Sequence, residues 1–395
     1  MKINETLITD SGTLADFCAT LKGTPFITVD TEFMRESTYW PILCLVQVAG
    51  PDEAVAIDAM ADGLDMTPLF DILRDPDTLK VFHAGRQDME IFYNLMNHLP
   101  APIFDTQIAA MVCGFGDQVG YETLITKLVG ARIDKSSRFT DWSLRPLSDK
   151  QIAYALDDVV HLFEAYQKLK QTLKDSGREN WLNEEMEILT ATRTYDIAPE
   201  DTWKRIKARG AKPKTLAVLR ELSIWREKEA QRRDVPRGRV IKDDSLVEIA
   251  HHTPQTAKEL GRTRGLSKGL ADGKVGSALL AAVERGLGTP KDSWPRVPKK
   301  PDLPEGIGPM TDLLKVLLKM KCQEMDVAQK LVANVADLDL IAAFGEKADV
   351  AALHGWRREV FGNDALRLCN GEIALAARDG AIKIFPTTAP ASESA

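Results

Sequence analysis

The sequence predicts a mixed α/β region followed by two smaller helical regions. Strand and helix patterns alternate over about the first 170 residues, and helical periodicity dominates residues 211–288 and 310–385. A Pro- and Lys-rich stretch at 288–309 lies between the two helical regions and has the composition of a linker. Because 395 residues are long for one domain, we expect two or three domains with separate cores.

The first region is predicted to form a mixed sheet with helices packed around it. An edge strand at 5–10 precedes a helix at 11–23, which has Ser11 as its expected cap and Gly23 as its stop signal. Three β runs joined by short turns then predict a meander. The later pattern is mostly helical, and its longest periodic stretch has Ser148 as a second expected cap. The strand runs lie at 25–33, 43–49, 53–59 and 78–85, and the further helices at 66–75, 86–96 and 147–173.

The two helical regions repeat at an offset of 92 residues. The matching positions are mainly of the core type, which predicts a shared fold. The surface positions differ, because Arg237 and Arg239 of the first copy correspond to Gln329 and Leu331 of the second. The first copy is therefore expected to keep a basic surface that the second lacks. The matched pairs are Leu222 with Leu314, Asp234 with Asp326, Val235 with Val327, Val240 with Val332, Leu246 with Leu338, Ile249 with Ile341 and Ala250 with Ala342.

Domain boundaries are predicted from the same patterns. Residues 174–205 form a charged helical connection that belongs with the first region, and the last ten residues lack large apolar side chains. The predicted divisions are 1–205, 206–292, a linker at 293–309, 310–385 and a flexible tail at 386–395.

The charge of the chain is unevenly distributed. The net charge is −7, but residues 206–292 carry 19 Lys and Arg against 11 Asp and Glu, a local charge of +8. The remainder of the chain carries −15. A basic module attached to an acidic one suits a polyanionic partner, whereas a solvated basic surface is the plainer alternative.

Composition and motifs argue against several classes of protein. The first twenty residues hold no signal-peptide pattern, and no stretch approaches the roughly 18 apolar residues of a membrane span. The five cysteines are scattered without a C-x-x-C pair, which predicts reduced thiols in a cytoplasmic protein. No phosphate-binding G-x-x-x-x-G-K-S/T loop occurs, so no nucleotide cofactor is expected.

Two acids lie two residues apart in the predicted strand 25–33. Asp30 and Glu32 are expected to point to the same side, because side chains alternate along a strand. Two converging carboxylates repel each other, and one of them tends to stay protonated. A divalent cation such as Mg²⁺ or Mn²⁺ removes the repulsion, since both ions prefer oxygen ligands. The alternative is a chance Asp-x-Glu pair on an exposed edge strand.

Further acids follow in predicted helices. Asp88 lies in the first turn of the helix at 86–96, and Tyr154 and Asp158 lie four apart, hence on one face. Asp157 is expected to point away from that face. Taken singly, Asp88 is explained as a helix-start charge, and Tyr154 with Asp158 as a surface hydrogen-bonded pair. The three motifs in this order within about 130 residues are better explained by one site.

These motifs resemble those of the tyrosine-bearing branch of the DEDD 3′→5′ exonuclease superfamily. More closely, VDTEFMRESTYWPILCLVQVA, FHAGRQDMEIF, DTQIAA, TDWSLRPLS and YALDDV are similar to the ribonuclease D family over about residues 20–170. The stretch DVPRGRVIKDDSLVEIA resembles the HRDC domain (helicase and RNase D C-terminal). The resemblance implies a ribonuclease H-like core followed by two HRDC-type helical domains, of which the second is the weaker match.

The resemblance also implies a site and a mechanism. Asp30, Glu32, Asp88 and Asp158 match the four metal-binding acids, and Tyr154 matches the tyrosine that positions the attacking water. Two Mg²⁺ or Mn²⁺ ions would hold the scissile phosphate, activate the water and neutralise the leaving oxygen. The implied activity is 3′→5′ release of nucleoside 5′-monophosphates from tRNA precursors and other small structured RNAs with a free 3′ end.

Other residues are candidate substrate contacts. Phe33, Gln47 and His83 lie beside the motif acids, where each is expected either to contact the terminal nucleotide or to serve the core. Arg138 and Arg145 lie in a predicted loop near the site, and they are expected either to contact phosphates or to be solvated. The candidates for RNA contact in the HRDC-type region are Arg232, Arg233, Arg237, Arg239 and Lys242.

Two rival functions stay open at this level. One is a 3′→5′ DNA exonuclease on the same core, since discrimination rests on contacts to the 2′-OH. The other is an RNA-binding protein with an inactive nuclease, against which the complete set of acids and Tyr154 argues. The protein is expected to act as a monomer, away from membranes.

Overall fold

The computed structural model describes residues 2–134, 136–137, 140–297 and 301–387, with side chains from residue 7 onward. Arg138 and nearly all of the predicted tail lie outside the described residues. Within the described ranges, no helix combines the length and the apolar character needed to cross a membrane.

The first region is built on one six-stranded mixed sheet. Its strands are β1 (Lys2–Ile8), β2 (Phe26–Met34), β3 (Ile42–Ala49), β4 (Glu53–Asp58), β5 (Leu79–Phe82) and β6 (Ile103–Asp105). Their order is β1-β4-β3-β2-β5-β6. β2, β3 and β4 are antiparallel, which confirms the predicted meander, while β1, β5 and β6 run parallel to their neighbours. β6 was not expected, because three residues are too few to show a strand pattern.

Helices cover both faces of this sheet. They are α1 (Ser11–Leu21), α2 (Thr67–Arg74), α3 (Arg86–Met96), α4 (Thr106–Val112), α5 (Tyr121–Leu128), α6 (Asp149–Ser176) and α7 (Asn183–Thr190). Val46 and Val48 of β3 belong to a core with α1, α2 and α3 on one face. Leu45 of the same strand packs with α6 on the other face, as the alternation of side chains along a strand requires.

The caps of two helices test the predicted starts. Ser148 begins α6 in a capping box, in which Gln151 N donates to Ser148 Oγ at 3.3 Å and Ser148 N donates to Gln151 Oε1 at 3.0 Å. That prediction is confirmed. The cap of α1 is Asp10 rather than Ser11, because the Asp10 carboxylate accepts from Thr13 N at 2.9 Å.

The remaining elements form two further helical groups, followed by a hairpin. The first group is α8 (Pro213–Arg233), α9 (Arg237–Val240), α10 (Asp243–His252), α11 (Ala257–Leu260), α12 (Lys268–Asp272) and α13 (Lys274–Leu287). The second is α14 (Gly308–Glu324), α15 (Gln329–Val332), α16 (Val335–Phe344), α17 (Gly355–Arg357) and α18 (Asn363–Cys369). The prediction of helix throughout 310–385 is wrong at its end, where β7 (Ile373–Arg378) and β8 (Ala381–Pro386) pair antiparallel.

The backbone repeats at the offset found in the sequence. Both ends of α9 and α15, and both ends of α10 and α16, coincide when 92 residues are added. Asp234 and Asp326, which follow the first helix of each group, are both left-handed, with φ of 47° and 46°. The two groups, called here the first copy and the second copy, therefore begin with the same three-helix arrangement. The domain boundaries themselves stay a prediction.

The first copy docks on the loop between β2 and β3. One Asp234 carboxylate oxygen accepts from Tyr39 N at 3.0 Å and from Trp40 N at 3.1 Å. The Tyr39 hydroxyl donates to Glu227, and Arg237 stacks on the Tyr39 ring at 4.8 Å while its Nε donates to Glu227 at 2.5 Å. These contacts attach the first copy to the chain that leaves the strand carrying Asp30 and Glu32.

The second copy docks on α4 and α7 of the sheet region. Ala328 N donates to Met111 O at 2.8 Å, and the rings of Trp181 and Trp356 stack 4.2 Å apart. The buried Arg357 donates to Leu331 O at 2.6 Å and also binds acids at the start of α7. The second copy therefore packs directly on the sheet region.

Candidate active site

The residues predicted to form the site meet at one end of β2. Asp30, Glu32, Tyr154 and Asp158 line one cavity of about 800 Å³, called here the acid cavity. Asp88 is buried beside it and binds Thr31, which lines the cavity. No Lys or Arg is among the described residues that line this cavity.

Strand alternation explains where the first two acids point. The Thr28 hydroxyl donates to the carbonyl of Val159 on α6 at 2.8 Å. Asp30 and Glu32 share the side of Thr28, because side chains alternate along β2. Both therefore face α6, where Tyr154 and Asp158 lie one turn apart.

Asp88 is held by Thr31, whose side chain lies on the other side of β2 from Asp30 and Glu32. Thr31 points toward α3, and its hydroxyl donates to the Asp88 carboxylate. The turn before α3 is held by Asp105, whose carboxylate accepts from Ala84 N at 3.1 Å and Gly85 N at 2.9 Å. Sequence reasoning missed Thr31 and Asp105, since a threonine within a strand and an aspartate at its end have ordinary local explanations.

Tyr121 is a third residue that sequence reasoning missed, and it holds the backbone of α6. Tyr121, at the start of α5, lines the acid cavity, and its hydroxyl lies 2.9 Å from the carbonyl of Asp157 and 2.5 Å from that of Asp158. Burial, followed by the charges of Asp158 and Asp30, raises the pKa of Tyr121 well above its usual range. The tyrosine therefore stays protonated and acts as a donor to the α6 backbone beside Asp158.

The carboxylates repel one another strongly. Burial, then the charges of Asp158, Asp88 and Glu32, raises the pKa of Asp30 well above its usual range. Burial, then Asp158 and Asp88, raises the pKa of Glu32 to about 8. Burial raises the pKa of Asp88 to about 6, although the hydrogen bond from Thr31 opposes the rise. A positive partner stabilises such a cluster of buried, mutually repelling acids.

The donor set fits hard divalent cations. Four carboxylates supply only oxygen ligands, which Mg²⁺ and Mn²⁺ prefer. In the described part of the chain, no three His, Cys, Asp or Glu side chains form a group that would hold one ion unaided. Mg²⁺ commonly binds through one or two carboxylates and takes its other ligands from water and substrate phosphate.

Known proteins are similar to this chain over most of its length. The 3′-5′ exonuclease family model matches residues 6–174, and the HRDC domain model matches residues 215–283. Ribonuclease D of Nitrobacter hamburgensis is 49% identical over 376 residues, which cover 95% of this chain and 98% of the relative. Ribonuclease D of Granulibacter bethesdensis is 49% identical over 383 residues, 97% of each chain. This chain belongs to the ribonuclease D family.

A solved structure supports the assignment. The crystal structure of Escherichia coli RNase D, described as an exoribonuclease involved in structured RNA processing, matches with a TM-score of 0.80 and 31% identity. The match covers 93% of this chain and 98% of that one. The predicted fold class, a mixed sheet with flanking helices followed by a helical HRDC region, is confirmed, and the chain is a 3′→5′ exoribonuclease.

The structure distinguishes among the candidate substrate contacts. Phe33 and His83 line the acid cavity. Gln47 is fully buried opposite Asp30 in the β2–β3 pair and is not part of the cavity wall, so its predicted contact with a nucleotide is not supported. Arg145 binds Asp58 at 2.5 Å and carbonyl oxygens of its own loop, so its guanidinium is occupied by structural contacts.

The five HRDC candidates divide into two kinds. Arg237 is committed to Glu227 and Tyr39 at the docking surface, and Arg232 pairs with Glu229 at 2.8 Å. Arg233, Arg239 and Lys242 are exposed, and no ion pair of theirs is found among the described residues. Their contact with RNA stays a prediction.

Proposed function

We propose that this ribonuclease D family member trims the 3′ ends of tRNA precursors and other small structured RNAs and releases nucleoside 5′-monophosphates. The acid cavity carries the proposal, because it gathers Asp30, Glu32, Asp158 and Tyr154 in one space with Asp88 buried beside it. The description of the Escherichia coli relative as an enzyme of structured RNA processing supports an RNA substrate.

Asp30, Glu32, Asp88 and Asp158 are proposed to hold two divalent cations, Mg²⁺ or Mn²⁺. When bound, the cations lower the pKa of a water and stabilise negative charge on the leaving oxygen. Tyr154 is proposed to hydrogen-bond the attacking water and orient it. Thr31 keeps the Asp88 carboxylate aimed, and Tyr121 keeps the α6 backbone at Asp158 in place.

His83 is proposed to contact the terminal nucleotide through the part of its ring that lines the acid cavity. The Thr106 hydroxyl donates to Phe82 O at 3.1 Å, so its oxygen is left to accept from His83 Nδ1 at 3.0 Å. Burial lowers the pKa of His83, which favours the neutral ring.

The proposal extends to where and how the enzyme works. RNA with a free 3′ end is its partner, and the free thiols of all five cysteines support the predicted cytoplasmic location. A monomer is sufficient, because one chain supplies every proposed site residue.

The test is a time course with a 5′-labelled, 3′-extended tRNA-like RNA and Mg²⁺ or Mn²⁺. We expect a shortening ladder with the wild type, no ladder with Asp30→Asn, and wild-type activity with the matched control Asp157→Asn. Asp157 is the suitable control because it pairs with His161 and lies outside the acid cavity.

Two results would contradict the proposal. Intact RNA in every lane, with folded protein that still binds RNA, would leave only the inactive binding protein predicted as an alternative. Faster shortening of a matched DNA strand would favour the DNA exonuclease.

A further inference from the structure

A second cavity lies between the sheet region and the first copy. It has a volume of about 270 Å³, and its lining combines arginines with aromatic rings. We call it the basic cleft. The residues that matter here are Arg35, Arg86, Arg205, Arg237, Trp40 and Tyr195. Arginines interleaved with aromatic side chains are the composition of grooves that hold single-stranded nucleic acid.

The basic cleft borders the acid cavity. Glu36 and Gln87 line the acid cavity, while their chain neighbours Arg35 and Arg86 line the basic cleft. Consecutive residues therefore line the two spaces at two separate places. On its far side the cleft continues into a third space, which shares Arg205 and Arg237 with it and adds Lys242 of the first copy.

Two of the arginines are available to a ligand. Arg35 pairs with Glu90 at 3.3 Å and Arg237 with Glu227 at 2.5 Å. Arg86 and Arg205 are exposed, and neither has an ion-pair or side-chain hydrogen-bond partner among the residues that the structure describes. Two unpaired cations in one cleft suit phosphate groups.

The cleft also has an exposed stacking surface. Trp40 is 42% exposed, although its backbone N–H is held by Asp234 of the first copy. Because Asp234 holds the backbone at Trp40, stacking a base on this exposed ring costs little conformational entropy of the protein.

We infer that the basic cleft binds the single-stranded part of the RNA just upstream of the scissile bond, with Arg86 and Arg205 on its phosphates and Trp40 against a base. The inference rests on the proposed exoribonuclease function. It explains the separation of charge, since only the terminal phosphodiester enters the acid cavity while the preceding phosphates meet arginines. A dinucleotide without a 5′ phosphate carries only the scissile phosphodiester, so it offers no preceding phosphate to the arginines of the cleft.

The experiment compares steady-state kinetics on a single strand of about ten nucleotides with kinetics on a dinucleotide, at several salt concentrations with Mg²⁺. The variants are Arg205→Gln, Arg86→Gln with Arg205→Gln, and Asp196→Asn. Asp196 is the acid in the cleft that has no described partner, so its removal should act in the opposite direction. Arg262→Gln is the matched control, because Arg262 is an exposed arginine that lines none of these spaces.

We expect the double variant to raise KM for the long strand about tenfold and to reduce the salt slope of log kcat/KM by about 1.4, at roughly 0.7 per phosphate contact. Its kinetics on the dinucleotide should stay at the wild-type value. Asp196→Asn should lower KM for the long strand, and the control should change nothing.

The outcomes separate this inference from the function on which it rests. A wild type that cleaves neither substrate overturns the exoribonuclease itself. A double variant equal to Arg262→Gln on the long strand overturns the cleft while leaving the nuclease intact. Equal losses on both substrates place Arg86 and Arg205 in the catalytic centre, which also overturns an upstream site.

Discussion

The two helical copies share a backbone and differ in the use of their surfaces. Residues 206–292 carry a charge of +8, whereas residues 310–385 carry 10 Lys and Arg against 11 Asp and Glu, a charge of −1. At one equivalent position Arg239 is exposed in the first copy, while Leu331 is buried in a cluster with α4 and α6 in the second. The same three helices thus present cations in one copy and an apolar docking face in the other.

Both copies contact the sheet region through the segment that follows their first helix. Asp234, which follows α8, accepts two backbone N–H groups from the β2–β3 loop. The segment after the equivalent Asp326 donates to α4 through Ala328 N. The comparison teaches that a duplicated module can keep its contact region and change its task by exchanging a few surface residues.

The largest expected effect on stability comes from exchanging the residue types at the equivalent positions 239 and 331. Leu331→Arg places a guanidinium in an apolar cluster, and we expect a loss of about 4 kcal/mol in the free energy of unfolding. The matched change Arg239→Leu should stay within about 0.5 kcal/mol, because that side chain is exposed. Urea unfolding measures both, and equal losses would show that the copies do not differ in this way.

The acid cavity lies in the sheet region and not in either copy. Its carboxylates are expected to make the stability of the protein depend on pH. The raised pKa values of Glu32, about 8, and Asp88, about 6, mean that the folded state holds protons that the unfolded state releases near pH 4. Stability of the metal-free protein is therefore fully present below about pH 4 and is lost as pH rises through 6 and 8.

The expected loss is on the order of 5 kcal/mol between about pH 5 and about pH 8.5, from roughly three pKa units at Glu32 and one at Asp88. Melting temperatures measured with a chelator over this interval should fall, and saturating Mg²⁺ should flatten the curve. A melting temperature that rises with pH in the metal-free protein would contradict the mutual repulsion of the carboxylates.

The docking of the first copy can be weakened without unfolding it. Tyr39→Phe removes the hydroxyl that Glu227 and Arg237 share, and we expect a loss of about 1 kcal/mol in unfolding free energy. We also expect a higher KM for a long RNA, since the same loop carries Trp40. Trp356→Phe, at the docking surface of the second copy, should lower stability without changing that KM. A change of KM in both variants would remove the distinction.

The smallest effect concerns two neighbouring arginines of the first copy. Arg233→Gln should reduce the salt slope of RNA binding by about 0.7, as expected for one lost phosphate contact on a single strand. Arg232→Gln should reduce it less, because Arg232 already pairs with Glu229. Fluorescence anisotropy at several salt concentrations measures both slopes. A larger reduction for Arg232→Gln than for Arg233→Gln would contradict the expected phosphate contact of Arg233.

Local signals made much of the fold predictable. Apolar runs and turn residues located the meander, and the helix predicted at 86–96 agrees with α3 at both ends. The hairpin at the end of the second copy also had a signal that was overlooked, an Asp-Gly pair between alternating apolar residues, where Asp379 and Gly380 have φ of 55° and 75°.

The candidate site was predictable only where its chemistry appears as a pattern. The acids and Tyr154 have recognisable spacing, whereas Thr31 and Tyr121 act through hydrogen bonds to residues distant in sequence. Gln47 shows the opposite error, since position beside a motif residue does not reveal that a side chain is buried beneath the sheet surface. Burial and long-range contacts are properties of the folded chain, so no local pattern carries them.

The length of α6 links the second copy to the candidate site without any contact with RNA. Its first turns carry Tyr154 and Asp158, and its last turns place Leu169 and Leu173 in the cluster that receives Leu331. From Asp158 to Ser176 the helix runs about 27 Å as one rigid rod. Contacts at the far end of such a helix limit the angle through which its near end can move. We therefore expect the second copy to help keep Tyr154, the tyrosine proposed to orient the attacking water, in position.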